Sequence, residues 1–600
     1  NLDDGATTAT GVLSDFNGHV YADTINITAA GVDDVASATF AQDVGFTTMA
    51  LDKDTGQATV TFDGSSAQTV SGNIEGAADT EGLIIVNNDV NFTGEIGTGT
   101  TDGVGNVRIA SGKTLTLTSG TAADGLYVTG KLDADSSDTR GGTVTLVASN
   151  AAAEDTAGTT QISQIDGTTT LTAVNITGGT GGLSDAALSA GEVGGASSAT
   201  FVGASDITTV TLSGGTGGAG LADNASDTDG GVGGATTGTF TAALTATNVN
   251  VNAGTGGAGG AGGSTAAATG SEGGAGGDAT LDLNVATGTT QAIGTLTITG
   301  GTGGDGGATS TNVGAAGGAA GDALATIAGD ITGNIVLDDG VAGTSVTSGG
   351  AGGAKGTATV TFDGGTVQTI TGTIAADADG EGVIILSGDS GAITDIVTIS
   401  GAVGTSAKKI GTITSGVATA QTSTAFTSDV FANTITHGLN QDWAGDTTIT
   451  MDFNGNATFT TLTVTGGSAA AGEDAAVTAA GNLTGTTIAL VEGTAGQTSL
   501  TLDGTSAQTV SAAITASEDG KGDITVSNTG GTVTFSETIG SATGIKSINA
   551  IALATGSTTV FAKAVDTASI TATTTANSTF NAAVTNSGAI TTGVGSTTVF

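Results

Sequence analysis

Apolar residues alternate with Thr, Ser or Asn in short runs, as in ATVTF at 58–62 and again at 358–362. Alternation with a period of two puts one set of side chains on one face, which predicts strands and no long helix. The runs also recur at a longer spacing. Between Gly556 and Phe600, Phe561, Phe580 and Phe600 return every 19 to 20 residues; Val565 and Val584 follow the first two, and Ile570 and Ile590 come further on. Such a period supplies one inward apolar ring per coil, and stacked rings make the continuous narrow core of a β-solenoid rod.

A larger repeat marks three places. ATVTFDGSSAQTVSGNI at 58–74 returns as ATVTFDGGTVQTITGTI at 358–374 and as TSLTLDGTSAQTVSAAI at 498–514. Each reads as strand, Asp-Gly turn, strand, glycine-containing turn, strand, with Asp63, Asp363 and Asp503 closing turns and Gly64, Gly364 and Gly504 supplying positive φ. Three turns per coil predict a triangular cross-section. Phe62, Phe362, Phe561 and Phe580 are the expected inward residues.

Between about 165 and 357 the pattern changes. VNITGGTGG (174–182), VTLSGGTGG (210–218), VNVNAGTGG (249–257) and LTITGGTGG (296–304) open Gly/Ala excursions, which return through Gly pairs into GGASSATF (194–201), GGATTGTF (233–240) and GGDATLDL (276–283). The period stretches to roughly 36 to 47 residues, so each coil carries a projecting glycine-rich arm. Two readings stay open: floppy loops, or extended helices of three residues per turn packed side by side, since Gly lets backbones touch. The chain therefore divides into a β-solenoid at 1–164, solenoid coils with long arms at 165–357, and a β-solenoid at 358–600.

Composition supports a narrow core. Hydrophobic residues make up 37% but aromatic ones only 3%, and 106 of 600 residues are Gly. Average usage would put roughly 30 prolines in such a chain; there are none, as expected where nearly every residue lies in an interior ladder. Eleven Lys and Arg against 56 Asp and Glu give a net charge of −45, which repels phosphate backbones and anionic membranes. Nucleic-acid binding is excluded on that ground. With no Cys there are neither disulfides nor thiolate metal sites, and no apolar run reaches the roughly 20 residues that span a bilayer.

VNFTGEIG (90–97), VTFSETIG (533–540), FNAAV (580–584) and TFDGSSAQTVSG (61–72) resemble passenger repeats of large bacterial surface proteins, notably rickettsial outer-membrane protein B autotransporters and filamentous adhesins. The GGTGG arms are similar in composition to glycine-rich repeats of mycobacterial surface proteins. The resemblance implies a right-handed parallel β-helix exposed on a cell surface as a coat or adhesin.

Candidate chemistry is sparse. The acid pairs Asp338/Asp339 and Asp33/Asp34 lack a surrounding set of binding groups, because the chain has only Arg108, Arg140, one Trp and two Tyr to offer beside its lysines. His19 and His437 lie far apart in sequence and read as surface imidazoles. Calcium is the cofactor the composition suits, since hard cations take several oxygens. The richest oxygen clusters are Asp133, Asp135 and Asp138; Asp223, Asp227 and Asp229; and Asp452, Asn454 and Asn456. Each also reads as an ordinary polar turn: the twelfth residue from Asp452 is Thr463, where an EF-hand loop has Glu.

Together these observations point to a non-enzymatic, extracellular structural protein that self-associates into a surface layer, sheath or fibre. No nucleic acid and no direct membrane insertion are expected. The alternative is a cell-surface adhesin whose arms bind a host or glycan ligand.

Overall fold

The computed structural model describes residues 2–600 apart from 5–11, 32–33, 54–55, 98–101, 120–124, 135–139, 152–155, 185–189, 222–227, 262–269, 287, 309–314, 346–350, 365–366, 388–394, 417–421, 439–447, 468–472, 495 and 542–545. Among these residues every regular element is a strand. Among the described residues no helix is long and apolar enough to cross a membrane. The chain forms two compact units: Asn1–Ala286 with Thr290–Ala325 and Asp338–Ala358, and Thr287–Thr289 with Thr326–Leu337 and Thr359–Phe600.

In the second unit each coil gives residues to three parallel stacks. In one, Ile384, Ile413, Ile435, Leu462, Ile488 and Ile514 sit in successive register. In another, Met451, Val477, Leu500, Ile524, Ile551 and Ile570 do so. The third runs Val430, Ala457, Leu483, Val510, Phe535, Phe561, Phe580. These side chains are buried, so the period-two alternation becomes a dry interior and a Thr-rich exterior. The repeating Phe produces a ladder of stacked rings: centroids lie 5.1 Å apart for Phe535 and Phe561, 4.5 Å for Phe561 and Phe580, and 5.3 Å for Phe580 and Phe600. Such stacking adds about 0.5–1.5 kcal/mol per pair to the area buried.

The first unit is stacked in the same way. Leu117, Leu146, Ile176, Leu212, Val251 and Ile298 form one inward column. From Ile176 onward the coils are 36, 39 and 47 residues long, and the extra length is the arms. Along the outgoing leg, Gly214, Gly217 and Gly220 donate backbone hydrogen bonds to Asn252, Thr255 and Ala258 of the next coil. Their neighbours Gly215 and Gly218 donate instead to Gly195 and Glu192 on the returning leg of the preceding coil. The returning legs bond to each other at the same interval, Gly191 to Asp229 and Gly194 to Val232. A bonding pattern that repeats every third residue is that of extended three-residue-per-turn helices. Of the two readings of the arms, packed helices describe these legs; the arm tips lie outside the described residues.

Glycine is obligatory inside this slab. A Cβ on Gly254 would overlap the carbonyl oxygen of Gly215, and one on Gly215 that of Gly179. The third residue of each turn faces outward, giving the row Thr180, Thr216, Thr255 and Thr302.

The Asp-Gly turns bring a correction. Gly64, Gly364 and Gly504 are absent from the positions with positive φ. What demands glycine is close approach: a Cβ would lie 2.8 Å from the Ala41 oxygen at Gly64, 2.8 Å from that of Ala328 at Gly364, and 2.5 Å from that of Ala480 at Gly504.

Gly254→Ala should therefore push two legs apart and cost about 1–3 kcal/mol locally, whereas Thr255→Ala on the outer face should stay within about 0.5 kcal/mol. Hydrogen exchange of the slab amides checks this; equal protection in the two variants would contradict the packing.

Candidate functional site

Many of the chain's carboxylates and amides lie at the corners of the coils, where a strand ends or begins. Asp and Asn side chains supply an acceptor to the following coil. Asp43 accepts from the N–H of Thr69 (2.8 Å), Asp89 from Thr114 (2.9 Å), Asp330 from Thr369 (2.7 Å) and Asp474 from Gln497 (2.8 Å). One corner of the second unit carries the device through successive coils. Asp429 accepts from Asn456, Asn456 from Asn482 and Asn482 from Thr509, at 2.8, 3.0 and 2.7 Å.

Several of the candidate cation ligands take part in these contacts. Asp133 sits 3.8 Å from the Arg108 guanidinium, so its charge is met within the fold. Asp229 accepts from the N–H of Glu272 at 2.8 Å. Asp452 takes a hydrogen bond from the Asn454 amide at 2.8 Å, and burial pushes its carboxyl up, with Asp503 adding to the shift. Asn456 belongs to the corner ladder and donates to Asp429 as well. Asp452 and Asn454 are brought together, while Asn456 is engaged with the neighbouring coil. Asp135, Asp138, Asp223 and Asp227 lie outside the described residues. Among the described residues no group of three His, Cys, Asp or Glu is placed to hold a metal. Of the acid pairs, Asp339 accepts from the Ala358 N–H at 2.6 Å, Asp34 is buried, and Asp33 is outside the described residues.

Two kinds of buried side chain depart from what the sequence suggests. The first is a glutamine. Gln68, Gln368 and Gln508 are nearly fully buried, and each Oε1 accepts from the turn glycine four residues earlier, at 2.9, 3.2 and 3.1 Å. Each Nε2 donates back to two carbonyls of the previous coil, those of Phe40 and Gln42, Ile327 and Gly329, and Ala479 and Gly481. The signal was present, since Gln holds the same place in all three copies of the repeat. The second is His437. It is fully buried, not a surface imidazole, with Nε2 donating to the Ile449 carbonyl at 3.2 Å. Burial holds its pKa down at about 4.

No protein-family model, curated protein or solved structure matches the chain.

Two predictions follow from these buried groups. Gln508→Leu strands the Gly504 N–H and the Ala479 carbonyl, at a cost of about 1–3 kcal/mol in urea unfolding; an unchanged midpoint would contradict the role. For His437, the depressed folded value means the unfolded chain binds the proton first, so its contribution is full above about pH 6.5 and is lost as pH falls toward about 4. Carboxyls raised by burial, such as Asp523 and Asp452, act with the opposite sign, since protonation relieves them. Subtracting the pH–stability curve of His437→Phe from that of the native chain isolates the imidazole; the difference should fall by about 3 kcal/mol between pH 7 and 4.

Proposed function

We propose that this chain is a non-enzymatic extracellular building block, a right-handed β-helix that assembles side by side into a surface layer, sheath or fibre. The observation that carries the reading is a column free of charge along one wall of each unit. The outward column Thr361, Ile385, Thr414, Thr436, Thr463, Ala489, Thr515 in the second unit is free of charge. So is Asn91, Thr116, Thr145, Asn175, Thr211, Asn250, Thr297 in the first. Many carboxylates sit at corners, bound to the next coil, while Asp282, Asp452, Asp523 and Asp566 lie in other strands. A polyanion of −45 resists close approach except through neutral faces, and flat Thr/Asn columns offer such faces. Calcium enters as the bridge between corner carboxylates of neighbouring molecules, where two chains together supply the oxygens that one lacks.

A second reading draws on the slab. Leu183, Val193, Val232 and Val341 stand exposed on it, at 52, 46, 42 and 61% of their full surface, which suits an adhesin that grips a glycan or host protein through the arms.

Light scattering and negative-stain microscopy of the purified chain distinguish these. Millimolar calcium in low salt should drive ordered association, and a chelator should reverse it with the circular-dichroism spectrum unchanged. Particles that remain single at every calcium and salt concentration would sink the assembly reading. Loss of glycan or cell binding in the Val193→Asp/Val232→Asp double variant, with association intact, would favour the adhesin.

A further inference from the structure

Three coils contain the same local device, an inward β-branched residue followed by a glycine in the left-handed region: Ile96–Gly97 (φ 71°), Val403–Gly404 (φ 66°) and Ile539–Gly540 (φ 70°). In each, the inward residue pairs with the next coil, Ile96 with Leu126, Val403 with Val430 and Ile539 with Val565. The glycine thus lies beside Tyr127, Phe431 and Asp566 respectively, and a Cβ on it would meet the backbone oxygen of that residue. The glycine lets the next coil's backbone approach closely at this point of the outer wall. At two of the three places the neighbouring coil sets an aromatic residue there; the Tyr127 ring lies against Gly103, and its hydroxyl donates to Asp166 at 3.4 Å.

At the third place the neighbour is an acid, Asp566. A groove of about 330 Å³ runs over Ile539, Gly540, Val565 and Asp566, with Thr538, Ala583 and Thr585 at its edge. Asp566 forms part of its wall and is only 7% exposed. Its carboxylate has no cation beside it among the described residues. Burial pushes the carboxyl up, and the like charge of Asp519 adds to this. A buried acid where sibling coils carry a ring costs stability unless something offsets it.

We propose that this groove binds a primary ammonium group carried on a short aliphatic stem. The ammonium would donate to the Asp566 carboxylate and to the threonine hydroxyls at the edge, while the stem lies on Ala564 and Ala583. A bare divalent ion fits less well, because calcium takes six to eight oxygens and this groove is floored mainly by hydrocarbon. The volume falls at the small end of the range for small-molecule sites. Two sources share this chemistry, a free aliphatic amine and the lysine side chain of another protein. The inference does not depend on the assembly role proposed above.

Isothermal titration calorimetry on the full chain tests it, with n-butylammonium chloride as the free amine and Nα-acetyl-lysine methylamide as the side-chain probe. n-Butanol is the uncharged control. Saturable one-site binding of either cation is expected, weakened roughly tenfold or more by Asp566→Asn and abolished by Asp566→Tyr, which installs the sibling coil's residue. Asp229→Asn, which removes the same charge in the other unit, should leave it within about twofold, so that general attraction to a polyanion is separated from the site. Preference for butylammonium assigns a free amine, and preference for the lysine derivative a protein partner. Binding equal in the native chain and Asp566→Asn would overturn the proposal. So would calcium binding lost in Asp566→Asn without any binding of the two ammonium probes.

Discussion

Parallel register between successive coils is the constraint on which the rest of the structure depends. Each strand has its hydrogen-bonding partners in the coils before and after it, so no residue in a wall can lack an N–H, and the chain contains no proline. The same register aligns identical positions of successive coils, which turns a recurring Phe into a ladder of stacked rings and a recurring Thr into an outward column. Glycine in the arms obeys the same rule by another route: with no Cβ between them, the legs pair backbone to backbone and satisfy each other every third residue.

Corners are where this constraint is hardest to meet. A chain that turns there leaves N–H groups without a strand partner, and Asp, Asn and Gln side chains fill the deficit. Much of the acidity of this protein is therefore structural. A carboxylate that already accepts a backbone hydrogen bond and faces its own coil stack is a poor member of a metal cage, and among the described residues no group of three acids or imidazoles is placed to hold a metal. Asp566 differs because it sits in a wall beside a side-chain-less residue, with no donor to its carboxylate among the described residues.

The two buried polar devices show how much a narrow core tolerates. The buried glutamines accept and donate on both sides, so burial costs them little. His437 has one nitrogen bonded and remains neutral at physiological pH because the interior disfavours its charged form. Acid would charge the unfolded chain before the folded one, which couples the second unit's stability to pH through a residue with no surface role.

Strand alternation, coil length, the inward phenylalanines and the glycine arms were all legible in the sequence, because each is a property of position within one coil and periodicity reports that directly. The internal repeat also carried the glutamine signal, though not its meaning. What depended on tertiary structure was every relation between coils. Which backbone N–H Asp229 and Asn456 met, whether His437 faced water or the core, and whether Gly540 lay beside a ring or Asp566 were settled by stacking register. Partners in that register stand 19 to 47 residues apart, and the spacing varies from coil to coil, so no local pattern could reveal which side chains would meet.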